Sequence, residues 1–283
     1  MTWKRTATFL CADSSPENGD VVLMGVPFDG TSCFRPGSRF GPHSIRIWSD
    51  VLESFSPELD MDLEEIRLGD LGDLEVPVAG WDEVALRIRE SMAPLLAEGK
   101  IPVVLGGEHL ISLAAVGACL DRYPNLCVLH VDAHLDLRDE YESDRHTHAT
   151  VMRRVMDLLG SDRVFQWGVR SGTREEWKMA RSVGTIIDTP SEIRDRLGGR
   201  PLYLSLDLDV LDPSILPETG APEPGGLFFR ELLNFLHALR GLPIVGADVV
   251  EYSPAGPGMG GPSGAVAAKV VREVILLCEA GRT

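Results

Sequence analysis

The sequence predicts an α/β fold built on a mainly parallel sheet with helices on both faces. Three observations carry this. Short apolar runs rich in Val, Ile and Leu recur along the chain. Most are apolar at nearly every position and not at every second one, the pattern of strands buried on both faces. Longer amphipathic segments alternate with them, as a parallel sheet requires, because each parallel strand needs a crossover before the next.

In chain order the predicted strands are 21–26 (VVLMGV), 101–105 (IPVVL), 126–131 (LCVLHV), 163–169 (RVFQWGV), 184–188 (GTIID), 201–208 (PLYLSLDL) and 243–250 (PIVGADVV). Predicted helices occupy 81–97, 110–120, 147–159, 228–239 and 264–279. In the last, Val266, Val270, Val274 and Leu277 follow one another at spacings of four, four and three, one apolar stripe for a sheet to receive. The stretch 27–73, rich in Gly, Pro and Asp, predicts loops and short helices wrapped around the domain, with GDLGDL (69–74) a short edge strand before a turn. No repeat and no linker interrupts the pattern, so residues 1–283 are expected to form a single domain.

A formal net charge of −16 excludes nucleic acid and anionic membrane surfaces as expected partners, since both would repel the chain. It mildly favours a cationic ligand. No run of about 18 apolar residues occurs, and the N-terminal sequence lacks the basic-then-apolar order of an export signal, so the protein is expected in the cytoplasm. Cys11, Cys33, Cys119, Cys127 and Cys278 are odd in number and never form a CxxC pair, which argues for small apolar fillers over disulfides or a thiolate metal site.

The chemistry-bearing residues sit at the ends of predicted strands: GGEH (106–109), HVDAHLD (130–136), SLDLDVLD (205–212) and DVVEYSP (248–254). In an open parallel sheet, carboxyl ends of strands share one edge, and ligands bind there. With side chains alternating along extended backbone, Asp132, His134 and Asp136 are expected to point one way, and Asp207 and Asp209 likewise. Four gathered carboxylates with few basic neighbours repel one another and demand a cation. With His109 and His134 they make a hard, oxygen-rich set suited to Mn²⁺, and four carboxylates suit two ions better than one because a carboxylate can bridge. Gly106 and Gly107 let the chain turn sharply before His109. His130, one step further inside the strand, is expected to support the ligands and not to join them.

Taken together, GVPFDGTSCFRPGSRFGPHSIR (25–46), GDLGDL, GGEH, DAHLDLRDEY (132–141), HATVMRR (148–154), GVRSG (168–172), SLDLDVLDP (205–213), TGAPEPGG (219–226) and EYSP resemble the ureohydrolases, the family of arginase, agmatinase and formiminoglutamase, with the wording most similar to agmatinases. The resemblance implies a three-layer arginase-like fold with a mainly parallel eight-stranded sheet, two Mn²⁺ ions per chain, and a homo-oligomer of three or six copies. It implies one ion on His109, Asp132, Asp136 and Asp207, the other on His134, Asp132, Asp207 and Asp209, with Asp132 and Asp207 bridging. His148, Glu251 and Asp136 make up the implied catalytic set: His148 a proton shuttle, with His146 as alternative, and Glu251 the carboxylate gripping the guanidinium.

The implied substrate is a small cationic guanidino compound. Arginases carry an Asp-x-Asp after Gly-x-Arg for the α-amino group; here Ser171, Gly172 and Thr173 follow Gly-Val-Arg. Asp139, Glu140, Glu142 and Asp144, expected to line the mouth, would repel a substrate carboxylate. These features favour agmatine, cleaved to putrescine and urea, over guanidinobutyrate, guanidinopropionate, arginine or formiminoglutamate; a silent binding module on the same fold is the non-enzyme alternative. Two departures bear on substrate choice: Glu218 and Ala221 replace Gly and Thr, and AGPGMGGPSGA (255–265) replaces the relatives' segment after EYSP.

Overall fold

In the computed structural model of the chain, which describes residues 3–4, 7–76, 80–254 and 256–282, the strands are β1 (Trp3–Lys4), β2 (Val21–Val26), β3 (Phe55–Ser56), β4 (Met61–Asp62), β5 (Leu68–Leu74), β6 (Ile101–Gly106), β7 (Cys127–Val131), β8 (Val164–Trp167), β9 (Leu202–Asp207) and β10 (Ile244–Val250). Eight of them make one sheet in the order β1-β5-β2-β6-β10-β9-β7-β8, parallel except for the β1–β5 pair, while β3 and β4 form a separate antiparallel pair.

The helices are α1 (Gly41–Ser49), α2 (Trp81–Ala97), α3 (Ile111–Arg122), α4 (Val151–Leu159), α5 (Arg174–Val183), α6 (Pro190–Leu197), α7 (Phe229–Ala238) and α8 (Ser263–Ala280). They divide between the two faces of the sheet. Ile45 of α1, Ile193 of α6, Leu232 of α7 and Val270 of α8 pack in one core with Leu202, Leu204 and Leu206. Ile88 of α2, Ile111 of α3, Val151 of α4 and Ala180 of α5 share the other with Tyr203. Alternate residues of β9 thus serve opposite layers, and each buried Val or Leu contributes about 1.5–3 kcal/mol.

Two sequence expectations are corrected. The run 184–188 is not a strand: Ile186 makes only a single bridge to Gln166 at the sheet's edge. GDLGDL belongs to a seven-residue strand that is not an edge; it lies between β2 and the short β1. Helices α5 and α6 were not expected, being short and polar. Their starts are nonetheless written in the sequence: Thr173 and Thr189 cap them, and Thr173 forms a reciprocal capping box with Glu176.

The strand order matters most for function. β6, β10, β9 and β7 are consecutive neighbours. Their carboxyl ends therefore deliver His109, Glu251, Asp207 and Asp132 side by side.

Candidate metal centre

Each side chain reaches the sheet's carboxyl edge by its own local device. Gly107 follows β6 and presses against the Phe28 backbone so closely that a Cβ would collide with it. His109 follows at the foot of α3. Asp132 directly follows β7, and Asp207 ends β9.

Strand alternation, the expected device for Asp136 and Asp209, is not what places them. Asp136 enters through left-handed backbone at φ 53°, and Asp209 sits in a single 3₁₀ turn, Leu208–Val210, whose Asp209 N–H donates to Asp207 Oδ1 at 2.8 Å. Glu251, one residue beyond β10, is also left-handed at φ 65°. Such backbone costs about 1–3 kcal/mol per non-glycine residue and concentrates where function requires it.

The result is a buried cluster. His109 Nδ1 lies 3.1 Å from Asp132 Oδ2, 3.2 Å from Asp207 Oδ2 and 3.4 Å from Asp136 Oδ2. His134 Nδ1 lies 2.9 Å from Asp209 Oδ2 and 3.5 Å from Asp132 Oδ1. Donor atoms of His109, His130, Asp132 and Asp136 form one group within 4.8 Å, and those of Asp132, His134 and Asp209 form another. Asp132 is common to both.

Two observations show that these residues fit divalent cations. First, His109 Nδ1 is fully buried with no well-directed hydrogen bond, although three carboxylate oxygens surround it. The other ring nitrogen, Nε2, is 2.9 Å from Ser205 Oγ, and that hydroxyl donates to Asp248 at 2.8 Å. Ser205 therefore accepts from Nε2–H, which leaves the Nδ1 lone pair facing the carboxylates, the orientation a ligand histidine needs. Second, the charges do not balance without a cation. Burial, added to the charge of neighbouring carboxylates, raises Asp207 and Asp136 well above the usual carboxylate range and Asp209 above it as well. Against their own burial, His109 and His134 are raised far above the ordinary histidine value by Asp132, Asp207 and Asp209, taking protons where metal would otherwise sit.

Above the cluster is a cavity of about 350 Å³ whose lining includes His134, Asp136, His148, Ala221 and Glu251. Glu251 Oε1 accepts the His109 backbone N–H at 2.9 Å; burial, with Glu108 nearby, pushes its carboxyl up to about 8. His148, ahead of α4, is lowered to about 4 by burial, and its backbone N–H donates to Thr31 Oγ1 at 3.1 Å. Cys33 Sγ stands 3.6 Å from His148 Nε2, and the Tyr141 ring meets the imidazole edge-on. His146, the alternative shuttle, is not on the cavity wall.

Sequence reading left Glu108 without a role. The side chain is fully buried and ties the 31–32 loop to the strand end, accepting Thr31 N–H at 2.9 Å and Thr31 Oγ1–H at 2.8 Å. Its position inside GGEH, beside the expected ligand His109, was the available signal. The acidic mouth is a further correction. Asp139, Glu140, Glu142 and Asp144 do not line the cavity; Asp139 pairs with Arg154 at 2.7 Å, and from the same loop Arg138 and Tyr141 line it. Arg35 lines it too. Ser171 and Thr173 are on the wall as the motif comparison required.

The comparisons with known proteins agree with this geometry. The Arginase family model matches residues 19–277. The chain is 41% identical to an agmatinase from Bacillus anthracis over 276 residues, covering 95% of each chain. It is 35% identical to the mitochondrial guanidino acid hydrolase of Homo sapiens over 262 residues, 87% of this chain and 74% of that one. The solved agmatine ureohydrolase of Thermoplasma volcanium superimposes with a TM-score of 0.85 at 31% identity, covering 98% of this chain and 96% of that one. A matched family model spanning nearly the whole chain, on a fold that gathers the expected histidines and aspartates, places this protein in the arginase family.

Proposed function

We propose that the chain is a binuclear manganese hydrolase of guanidino compounds, with agmatine, cleaved to putrescine and urea, as the foremost substrate. The observation that carries this reading is the unpartnered His109 Nδ1 among three carboxylates at the floor of a cavity that also presents Glu251. His109, Asp132, Asp136 and Asp207 would hold one ion, and His134, Asp132, Asp207 and Asp209 the other. Bound there, two cations would supply a water acidified toward neutral pH as the nucleophile.

The remaining work falls to the protein. Glu251 has one oxygen on the His109 N–H, and its carboxylate accepts from the guanidinium, which orients the planar group over the cluster. Its raised pKa falls when a guanidinium and cations are close, so it is ionised in the complex. His148, neutral in its pocket at working pH, relays a proton to the departing amine. The absence of an arginase-type Asp-x-Asp after Gly168-Val169-Arg170 supports a substrate without an α-amino acid head. The same reading carries a single domain over 1–283, a cytoplasmic setting and a trimer or hexamer; sedimentation of the purified protein measures the last.

A second reading is favoured by Arg35 and Arg138 on the cavity wall, which suit a guanidino acid such as guanidinobutyrate. Urea release by the Mn²⁺-loaded protein from agmatine, guanidinobutyrate and arginine decides. Agmatine is expected to give the highest kcat/KM; no urea from any guanidino compound overturns the hydrolase assignment.

A further inference from the structure

Distance alone makes His130 a candidate ligand, since a ring nitrogen lies within 4.8 Å of donor atoms of His109, Asp132 and Asp136. The hydrogen bonds around it say otherwise. Gln166 Nε2 is 2.8 Å from the Leu135 carbonyl and 3.0 Å from His130 Nδ1, while Thr185 Oγ1 donates to Gln166 Oε1 at 2.8 Å. A carbonyl only accepts, so the Gln166 amide nitrogen must face Leu135, and the same nitrogen then donates to His130 Nδ1. With Nδ1 accepting, the ring proton is on Nε2, which lies 2.7 Å from Asp132 Oδ2. Thr185, Gln166, His130 and Asp132 are all fully buried, so no water offers an alternative.

We infer that His130 is a positioning residue for the metal centre, locked by Thr185 and Gln166 as the Nε2–H tautomer, whose bond to Asp132 Oδ2 orients the carboxylate shared by both ion sites. It has no lone pair to give a cation. The inference rests on the proposed binuclear reading. It reaches from β8, an edge strand, through β7 to the centre of the site, and assigns Gln166 and Thr185 a purpose beyond packing.

Two measurements test it. In the wild-type protein with ¹⁵N-labelled histidine, His130 should show the Nε2–H tautomer without metal and keep it on loading with ¹¹³Cd²⁺, while His109 and His134 show coupling to cadmium. Cadmium coupling on His130, or an Nδ1–H tautomer, overturns the inference. Coupling on no histidine, with no Mn²⁺ binding by calorimetry, overturns the binuclear reading itself and the role assigned to His130 with it. In the second measurement, His130→Leu should weaken Mn²⁺ binding about 10–100-fold, the range for lost outer partners of a ligand. His130→Gln, which keeps an amide donor, should recover most of that loss. Wild-type affinity in His130→Leu, or equal losses in both folded variants, overturns the inference.

Discussion

The Glu218 carboxylate accepts the backbone N–H of Gly261 at 2.9 Å, and Ser253 N–H donates to the Glu218 carbonyl at 2.8 Å. Both places at which the sequence departs from the family pattern are therefore one contact. Glu218 precedes Gly220 and Ala221 on the cavity wall, and Gly261 belongs to the glycine-rich segment after Pro254, of which Ala255 lies outside the described residues. A Cβ on Gly261 would stand 2.9 Å from Glu218 Oε2, so a larger residue there would displace the carboxylate.

Removing this contact should loosen the wall while sparing the metals. Glu218→Ala is expected to raise KM for the guanidino substrate several-fold and cost about 1 kcal/mol of stability, a typical net hydrogen-bond value, with metal content unchanged. Steady-state kinetics beside elemental analysis checks this; metal loss in Glu218→Ala contradicts it.

Asp132 and Asp207, both buried and within 3.2 Å of His109 Nδ1, are expected to be indispensable to both ions. Asp207→Ala should leave the purified protein depleted of metal, whereas His148→Ala should retain two ions per chain and lose turnover by 10²-fold or more, the usual scale for a proton-transfer group. Two ions retained in Asp207→Ala would show that it does not bridge.

Arg35 offers a charge that agmatine does not need. Arg35→Ala should lower kcat/KM for guanidinobutyrate about 10-fold, roughly one charge-assisted hydrogen bond, and leave agmatine unchanged or improved. Equal losses on both substrates would assign Arg35 a structural role.

Away from the site, Glu273 is buried with Arg272 and accepts from His237 and Ser56. Burial alone would raise its carboxyl, but Arg272 and His237 outweigh burial and hold it below 4.5. A depressed folded value means the stabilisation is complete above the unfolded-state pKa and is lost as pH falls through the lower folded one. Urea unfolding should thus show stability declining as the solution is acidified below about pH 4.5. Glu273→Gln should flatten that decline and, by leaving Arg272 without its anion, cost about 3–5 kcal/mol at neutral pH.

The legible part of the molecule was its buried part. Predominantly apolar runs such as Val21–Val26 and Ile244–Val250 matched their strands to within a residue, because burial on both faces leaves little freedom of composition. Polar elements were harder: α5 and α6 present few apolar residues, and only their threonine caps announced them. At the site, residue types were readable and mechanism of placement was not. Asp136 and Asp209 arrive by a left-handed residue and a 3₁₀ turn, which period-two reasoning cannot foresee. The acidic loop 139–144 was misplaced for another reason: Asp139 is paired locally with Arg145 and Arg154, and Glu140, Glu142 and Asp144 are exposed.

The left-handed backbone at Asp136 and Glu251 also limits how the site can diverge. Among L-residues, Asn and Asp tolerate that conformation best and β-branched side chains worst. Drift at these two positions is thus taxed twice, by chemistry and by backbone. Ser171, Thr173 and Ala221 line the same cavity with negative φ. New specificities within this architecture have an open route through those three neighbours, while the reacting centre stays fixed.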